Sequence, residues 1–310
     1  MSFCTTIAEK SDWQEKYQAF LSRWARVTNT TGRHSPSGRL ETVVLTATFL
    51  PGKTPFVAIG DTTERKWQYF CALLCWLRDP RVGAVVFCEN TATTCDFSRF
   101  SDIASREGKR LEILSFDGNT ESARLGKGFG EGCILEHVMQ QSSVLSEGST
   151  FYKCTGRVYV KNFPAVSSSL EHRSEGFFPL DMRHSIANKS LGRLTVRNAW
   201  RRLRERSRMA AEYSRKAGAR IWSPRLVRGC DTRFFKCGTD FFREHLLDQY
   251  RLVDDHMGFY LEHAYYYRLR NQTRFVSETA PAFVGKSGTG GGDLHHAFPE
   301  SIVAEARAFL

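Results

Sequence analysis

The chain has 310 residues, of which 41% are hydrophobic and 13% aromatic, so it is long enough to bury a sizeable core in one large domain or two. No apolar run reaches the roughly 18 to 20 residues of a membrane span, and residues 1–16 lack the basic-then-apolar pattern of a secretion signal. Nine scattered cysteines favour buried reduced thiols over a disulfide framework or a metal site, so we expect a cytoplasmic protein.

The net charge of +11 is concentrated in one segment. Residues 183–228 hold twelve arginines and two lysines against two glutamates, a local charge of +12, which leaves the remainder near −1. This segment predicts a surface helix. Two interpretations remain open: a solvated basic face, or a surface that docks to anionic lipid or a lipid-diphosphate-linked acceptor on the inner face of the cytoplasmic membrane. No nucleic-acid-binding motif or interleaved aromatic platform accompanies the charge, so we expect no nucleic acid partner.

The first half of the chain alternates between strand and helix patterns. Residues 1–40 predict an N-terminal helix and a linker, and residues 41–165 predict an α/β half. In order, this half contains a buried strand at 41–50, a helix capped by Thr62 or Thr63, a strand at 82–88, a helix at 97–110 and a strand at 111–116. A glycine-rich turn at 125–132, a helix and a strand bearing Lys153 and Arg157 follow.

The second half of the chain, residues 166–275, includes the basic helical segment. Residues 163–181 are loop-like, 230–237 form a short strand or turn, and 240–250 form an amphipathic helix. Asp254 and Asp255 lie in a turn before a helix that opens with Glu262 and His263. Residues 276–310 predict a flexible tail with a short helix, and their GKSGTGGG run lacks the earlier glycine of a phosphate-binding Walker loop.

Candidate ligand-binding residues follow the strands, because ligands of open α/β sheets bind at the carboxyl ends of the strands. Glu89 and Asn90 end the second strand and suit a ribose or base edge, although a helix cap or turn explains them equally well. In the glycine-rich segment, backbone N–H groups and one lysine suit an anion. The full candidate binding set is Thr46, Arg65, Glu89, Asn90, Gly126, Lys127, Gly128 and Arg157.

The ordered segments ETVVLTATFL, VVFCEN, LEILSFDGN, GKGFGEG and FYKCTGR resemble the GT-A glycosyltransferase fold over residues 41–270. The chain looks most like glycosyltransferases encoded among bacterial surface-polysaccharide genes, those for lipopolysaccharide and capsule. This resemblance implies an α/β fold with a mostly parallel, Rossmann-like sheet flanked by helices. It also implies that residues 41–165 bind a nucleotide-sugar co-substrate. Residues 166–275 would then form the catalytic half, which binds a glycan or lipid-linked acceptor.

The resemblance fails where such enzymes carry an Asp-x-Asp metal motif, since this chain has Cys154-Thr155-Gly156-Arg157 there. A hard divalent cation needs oxygen ligands, and no acidic residue stands nearby. We therefore expect no metal cofactor, with Lys127 and Arg157, and Lys153 as a further candidate, neutralising the leaving phosphate. An edge-strand surface salt bridge is the alternative for Arg157. Lys153 alternates with Tyr152 and is expected to face solvent.

By the same resemblance, a carboxylate deprotonates the acceptor hydroxyl in an inverting reaction. Glu262 is the first choice for this base and Asp255 the second. Glu131 is a further catalytic candidate, although a carboxylate in the first turn of a helix also suits the helix dipole. Asp231, Arg233 and His263 are candidates for binding the acceptor. A retaining mechanism remains open, and so does a non-catalytic basic module that binds nucleic acid or anionic membrane through residues 183–228.

Overall fold

A computed structural model describes residues 40–52, 54, 57–182, 228–255, 259–273, 275–276, 278–287, 292 and 294–310. The expected N-terminal helix lies outside these residues, as does the arginine-rich segment from 183 to 227. No helix in the part of the chain that the structure describes is long and apolar enough to cross a membrane.

The described residues form nine strands and eight α-helices. The strands are β1 (Glu41–Ala47), β2 (Val82–Glu89), β3 (Arg110–Ser115), β4 (Thr150–Thr155), β5 (Val158–Val160), β6 (Pro179–Asp181), β7 (Arg228–Cys230), β8 (Phe234–Gly238) and β9 (Phe283–Gly285). The helices are α1 (Thr62–Arg78), α2 (Ser98–Arg106), α3 (Thr120–Leu125), α4 (Lys127–Gln141), α5 (Phe163–Ser169), α6 (Thr239–His245), α7 (Leu261–Leu269) and α8 (Glu300–Arg307). A 3₁₀ turn spans Gln249–Leu252.

The central sheet has five strands in the order β3-β2-β1-β4-β8. The first four run parallel, and β8 is antiparallel to β4 at one edge. Strands β1 and β2 are apolar on both sides because helices cover both faces of a parallel sheet. The prediction of an α/β fold with a mostly parallel sheet flanked by helices is confirmed. Two small antiparallel pairs, β5 with β9 and β6 with β7, stand beside this sheet.

Two hydrophobic clusters occupy the two faces of the sheet. Alternate residues of β1 separate them, since Val43 and Leu45 pack with α1 while Val44 packs with α4. On the α1 face, the Phe49 ring packs edge to face on Tyr69 and Phe70 and stacks on Phe87. The two faces therefore present separate surfaces at the carboxyl edge of the sheet.

The N-cap of helix α1 lies one residue before the first of the two predicted caps. The side chain of Asp61 accepts a hydrogen bond from the Glu64 N–H at 2.6 Å, so Asp61 is the N-cap in place of Thr62 or Thr63. The predicted inward stripe is buried at Phe70, Leu74 and Leu77, whereas Trp67 is only partly buried.

The predicted glycine-rich turn is wrong, because α4 already begins at Lys127 and is preceded by the unpredicted helix α3. Glycines inside α4 permit close packing. A Cβ at Gly132 would overlap the Tyr250 side chain, and a Cβ at Gly128 would lie 3.2 Å from Val253 and Leu261. These glycines are explained by neighbours that approach the helix backbone, and not by a phosphate-cradling loop.

Two further segments also differ from the prediction. Residues 163–181 contain α5 and β6, although proline and serine had indicated a loop. The tail contributes strand β9 as well as helix α8, and α8 docks on α1 through an ion pair of Arg78 with Glu305 at 2.8 Å. Residues 288–291 and 293 of the tail's glycine-rich run lie outside the described residues.

Candidate functional site

The carboxyl ends of β1, β2 and β4 meet at one edge of the sheet. The Gly156 N–H donates to the Thr46 carbonyl at 2.9 Å, which ties the end of β4 to the end of β1. The Thr48 hydroxyl donates to the Asn90 side-chain oxygen at 2.7 Å, which ties β1 to the end of β2. The parallel arrangement thus brings together candidate binding residues from three separate strands.

On the α1 face of this edge lie Arg65 and Arg157, which we call the arginine pair. Both side chains are buried, at 4% and 6% exposure. Arg65 donates from Nε to the Thr48 carbonyl at 2.8 Å, from Nη1 to the Ile59 carbonyl at 3.0 Å and from Nη2 to the Tyr69 hydroxyl at 3.1 Å. Its guanidinium is held by neutral oxygens, and its positive charge is not cancelled by them.

Arg157 is held less completely. Its Nη1 donates to the Gln68 side-chain oxygen at 3.4 Å, while its buried Nε has no hydrogen-bond partner. Burial lowers the pKa of Arg157, the phenol of Tyr69 opposes that change, and the charge of Arg65 adds to it. Within the described part of the chain, no carboxylate forms an ion pair with either arginine. The arginine pair therefore carries two buried positive charges without an anionic partner there.

The opposite, α4 face of the same edge holds three carboxylates: Glu131, Asp255 and Glu262, which we call the carboxylate group. Glu131 lies on α4, where it pairs with Lys153 and accepts from the Thr46 hydroxyl at 3.4 Å. Glu262 is half-buried in the first turn of α7. The negative charge of Glu262 acts on both Asp255 and Lys153, so these groups share one electrostatic environment.

Lys153 does not face solvent as predicted, since its side chain is 0% exposed. Strand β4 lies between β1 and β8, and both of its faces are covered, so strand alternation places Lys153 under α4. Its ammonium pairs with Glu131, donates to the Thr232 carbonyl and lies 3.3 Å from the Thr155 hydroxyl. Burial lowers the pKa of Lys153 to about 8.

Asp255 is buried at 2% exposure and caps the start of α4. Its Oδ2 accepts the Lys127 N–H at 3.0 Å, and the preceding Gly126 has φ +116°, where a side chain would collide with the Asp255 carboxyl. Its Oδ1 has no hydrogen-bond partner. Burial, followed by the charge of Glu262, raises the pKa of Asp255 to about 6, although Lys127 opposes the shift.

Three predicted site residues are occupied by their own neighbours. Glu89 is buried and accepts from the Thr91 N–H at 2.8 Å, the Thr93 N–H at 3.1 Å and the Ser115 hydroxyl, which matches the turn interpretation. Asp231 holds Arg233 through two hydrogen bonds, the shorter at 2.6 Å. The binding roles of the other predicted site residues stay predictions.

His263 is buried in the cap of α7. Its Nδ1 accepts the Tyr260 N–H at 3.1 Å, and its ring stacks on the Tyr260 ring at 5.4 Å between centroids. These contacts explain His263 structurally. Its role in binding an acceptor stays a prediction.

Two contributors to the arginine pair were missed by the sequence reasoning. Gln68 stands one helical turn after Arg65, and this i to i+3 spacing is a signal that both side chains share a face of α1. Lys286 reaches α1 from the tail, where its Nζ lies 3.2 Å from Glu64. Its only local signal was the apolar run before Gly285, which indicates a short strand.

A separate groove of about 390 Å³ lies along the outer side of α4. The stacked rings of Phe116 and His137, 4.2 Å apart, form part of its wall. None of the predicted site residues lines it.

The end of β4 does not fit the divalent metal ion that the glycosyltransferase resemblance implies. Thr155, Gly156 and the buried cation Arg157 occupy that position, and hard cations require several oxygen ligands. Among the residues that the structure describes, no three His, Cys, Asp or Glu side chains are grouped in a way that suits metal binding.

No family model and no curated protein sequence matches this chain. Solved structures match at low similarity. A WbbM bifunctional glycosyltransferase, apo form, has 9% identity and a TM-score of 0.42, with 80% of this chain matched to 40% of that one. HddC from Yersinia pseudotuberculosis has 12% identity and a TM-score of 0.34, with 87% and 100% covered. Core-mannan synthase A from Aspergillus fumigatus, Mn/GDP form, has 10% identity and a TM-score of 0.38, with 79% and 73% covered.

This chain thus spans less than half of the bifunctional enzyme. At these identities and TM-scores, the matches carry no argument about activity, substrate or partners. The site has to be interpreted from its own residues.

Proposed function

We propose that this protein is a glycosyltransferase that uses a nucleotide-sugar donor and a bacterial glycan or lipid-linked acceptor. The observation that carries the proposal is the arginine pair, buried at the carboxyl edge of a parallel sheet without a carboxylate counter-ion in the described residues. Removing a charge from water is costly unless an opposite charge or strong hydrogen bonds offset it. A phosphate group at Arg157 supplies both, since a guanidinium binds phosphate oxygens through paired hydrogen bonds.

The proposed chemistry is an inverting, metal-independent displacement. As the glycosidic bond of the donor breaks, the electron pair moves to the nucleoside phosphate and its negative charge grows. Arg157 and Arg65 stabilise this charge, with Lys127 as a further contributor from the start of α4. The acceptor hydroxyl oxygen forms the new bond to the sugar, and its proton goes to a carboxylate.

Glu262 is the preferred base within the carboxylate group. It is half-buried and so reaches solvent, whereas Asp255 is almost completely buried and caps α4. Glu131 is paired with Lys153, so its carboxylate is already engaged by an ammonium. Loss of a positioned base typically lowers the rate 10²- to 10⁴-fold, which is the effect we expect for Glu262→Gln.

The test of donor binding is a thermal-shift assay against UDP-, GDP-, CMP- and dTDP-sugars, with EDTA or with Mn²⁺. A ligand at 100 times its dissociation constant stabilises a protein by about 2.7 kcal/mol, which is readily measured. We expect one nucleotide to raise the melting temperature equally with EDTA and with Mn²⁺, and the shift to vanish in Arg157→Gln. Arg124→Gln is the matched control, since it removes one exposed arginine whose ion-pair partner is the exposed Glu121.

The proposal fails if no nucleotide shifts the melting temperature of the wild-type protein. In that case salt-sensitive binding to anionic vesicles or to nucleic acid supports the alternative, a non-catalytic basic module carried by residues 183–228.

A further inference from the structure

A chain of polar contacts links the arginine pair to the tail of the protein. Arg157 Nη1 donates to the Gln68 side-chain oxygen at 3.4 Å. The amide of Gln68 in turn donates to Glu64 Oε1 at 3.2 Å, and the same oxygen accepts from Lys286 Nζ at 3.2 Å. Arg157 and Lys286, which are far apart in sequence, are therefore linked through two neighbouring side chains of α1, Gln68 and Glu64.

Strand pairing explains why Lys286 arrives at this place. Gly285 pairs with Val158, the residue that follows Arg157. Gly285 has φ +124°, and a Cβ there would collide with the Arg157 carbonyl oxygen, so the two backbones are in close contact. Lys286 is the next residue along the chain, and its side chain extends over the Trp67 ring, at 5.9 Å, to Glu64.

The charges around this chain of contacts suit a ligand with two negative charges. Arg65, Arg157 and Lys286 contribute three positive charges and Glu64 one negative charge, which leaves a net +2. The diphosphate bridge of a nucleotide-diphosphate sugar carries one negative charge on each phosphate. A nucleotide-monophosphate sugar carries only one in total, so it leaves one positive charge of the site without a partner.

We propose that Lys286 completes the anion site and that the donor belongs to the nucleoside-diphosphate class. The inference depends on the proposed function for the identity of the donor, while the anion site stands on the geometry alone. Lys286 suits this role because its side chain is 31% exposed and its ammonium has three donors, one of which goes to Glu64. Arg157 binds one phosphate and Lys286 the other.

The test measures binding by isothermal titration calorimetry with inorganic pyrophosphate and orthophosphate, and then with UDP and UMP, GDP and GMP. The variants are Lys286→Gln and the control Lys161→Gln, an exposed lysine that follows β5. Lys286→Gln is expected to weaken pyrophosphate and the cognate diphosphate about 5- to 20-fold, as loss of a partly exposed charged hydrogen bond predicts. Orthophosphate and the monophosphate change by less than about 2-fold, and Lys161→Gln changes neither.

An equal loss for mono- and diphosphate ligands, or a loss no larger than in Lys161→Gln, overturns Lys286 as the second phosphate ligand. Failure of the proposed function has a different signature. In that case pyrophosphate still binds the wild type and depends on Lys286, while no nucleotide sugar binds or turns over. If the wild type binds neither pyrophosphate nor any nucleotide, both proposals are wrong. Matching melting curves for wild type and Lys286→Gln confirm that the variant is folded.

Discussion

The buried guanidinium of Arg157 has one weak hydrogen bond, to Gln68, and an unpartnered Nε. A buried donor without a partner costs about 1 to 3 kcal/mol, more for a charged group, and most native proteins avoid it. Each guanidinium nitrogen of its neighbour Arg65 donates to a neutral oxygen, and these contacts hold its charge beside Arg157. The two residues differ in their hydrogen bonding, because each nitrogen of the Arg65 guanidinium has a partner while the Nε of Arg157 has none.

Asp255 provides a prediction about pH. Its pKa is raised from 3.8 to about 6, so between these values the folded state binds more protons than the unfolded state. The stability that Asp255 contributes is therefore complete below about pH 4 and is lost as the pH rises through about 6. In Asp255→Asn this loss disappears, while the helix cap remains because asparagine also caps helices. We expect the variant to gain stability relative to wild type between pH 4 and pH 7.

Urea unfolding at pH 4, 5, 6 and 7 measures this difference. Asp248→Asn is the control, since the Asp248 side chain is 72% exposed and forms a surface ion pair with Arg251. Parallel pH profiles for wild type and Asp255→Asn would show that Asp255 has an ordinary pKa and no share in the electrostatics of the carboxylate group.

Three elements are joined through Lys153. The lysine lies on β4, its ion-pair partner Glu131 lies on α4, and the Thr232 carbonyl belongs to the turn between β7 and β8. That turn lies just after Gly229. A Cβ atom placed on Gly229 would lie 3.1 Å from the Glu262 Cβ, so the backbone of β7 packs against Glu262. The position of the candidate base is thus connected to the sheet through contacts that no single element contains.

Removing one partner of this ion pair leaves a buried charge, so Lys153→Met and Glu131→Gln are each expected to lower the free energy of unfolding. The expected loss is about 3 to 5 kcal/mol for Glu131→Gln, which leaves the fully buried ammonium of Lys153 without a counter-ion, and less for Lys153→Met, which leaves the partly exposed carboxylate of Glu131. In the double variant neither charge remains. We therefore expect its loss of unfolding free energy to be smaller than the sum of the two single losses by about 1 to 3 kcal/mol. Chemical denaturation of all four proteins measures this coupling.

The exposed pair of Arg124 and Glu121 is the matched control for that cycle, because its side chains are 68% and 55% exposed. Its coupling is expected to stay below about 1 kcal/mol. A coupling of similar size for the two pairs would contradict the structural role assigned to Lys153.

At the scale of the whole molecule, the C-terminal tail packs on α1 and pairs with strand β5. Helix α8 packs on α1 through the fully buried Ala306, while β9 pairs with β5 and places Lys286 beside the arginine pair. Residues from both ends of the described chain therefore contribute to one site. This arrangement makes the position of the tail a requirement for the proposed anion site.

Ala306→Asp tests the docking of the tail. A charge at this buried position cannot be solvated while α8 lies on α1, so we expect a lower melting temperature and partial release of α8. Trypsin should then remove residues 308–310 after Arg307 sooner than in wild type, which mass spectrometry detects. Ser301→Asp is the control, since it adds the same charge to an exposed position of the same helix. Equal digestion rates in the two variants would show that α8 does not depend on this contact.

The strands and helices that leave a periodic pattern along the chain could be predicted from the sequence alone. Apolar, β-branched runs predicted β1 to β4, and helical spacing predicted α1 and α7, because burial on one or both faces leaves a pattern along the chain. The same reasoning placed Arg157 at the carboxyl end of a parallel strand, where ligands of such sheets bind. The proposed binding roles of the site residues remain predictions on this basis.

The contacts between side chains that are distant in sequence were visible only in the tertiary structure. Lys153 follows the alternation of a surface strand, yet a second sheet neighbour and α4 bury it. The glycines of α4 resemble a loop, yet they permit the close approach of Tyr250 and Leu261. Lys286 stands in a segment of flexible composition, yet strand pairing carries it to Arg157. Each of these outcomes depends on contacts between residues distant in sequence. Such contacts leave no periodic pattern in the local sequence, so they could not be predicted from it.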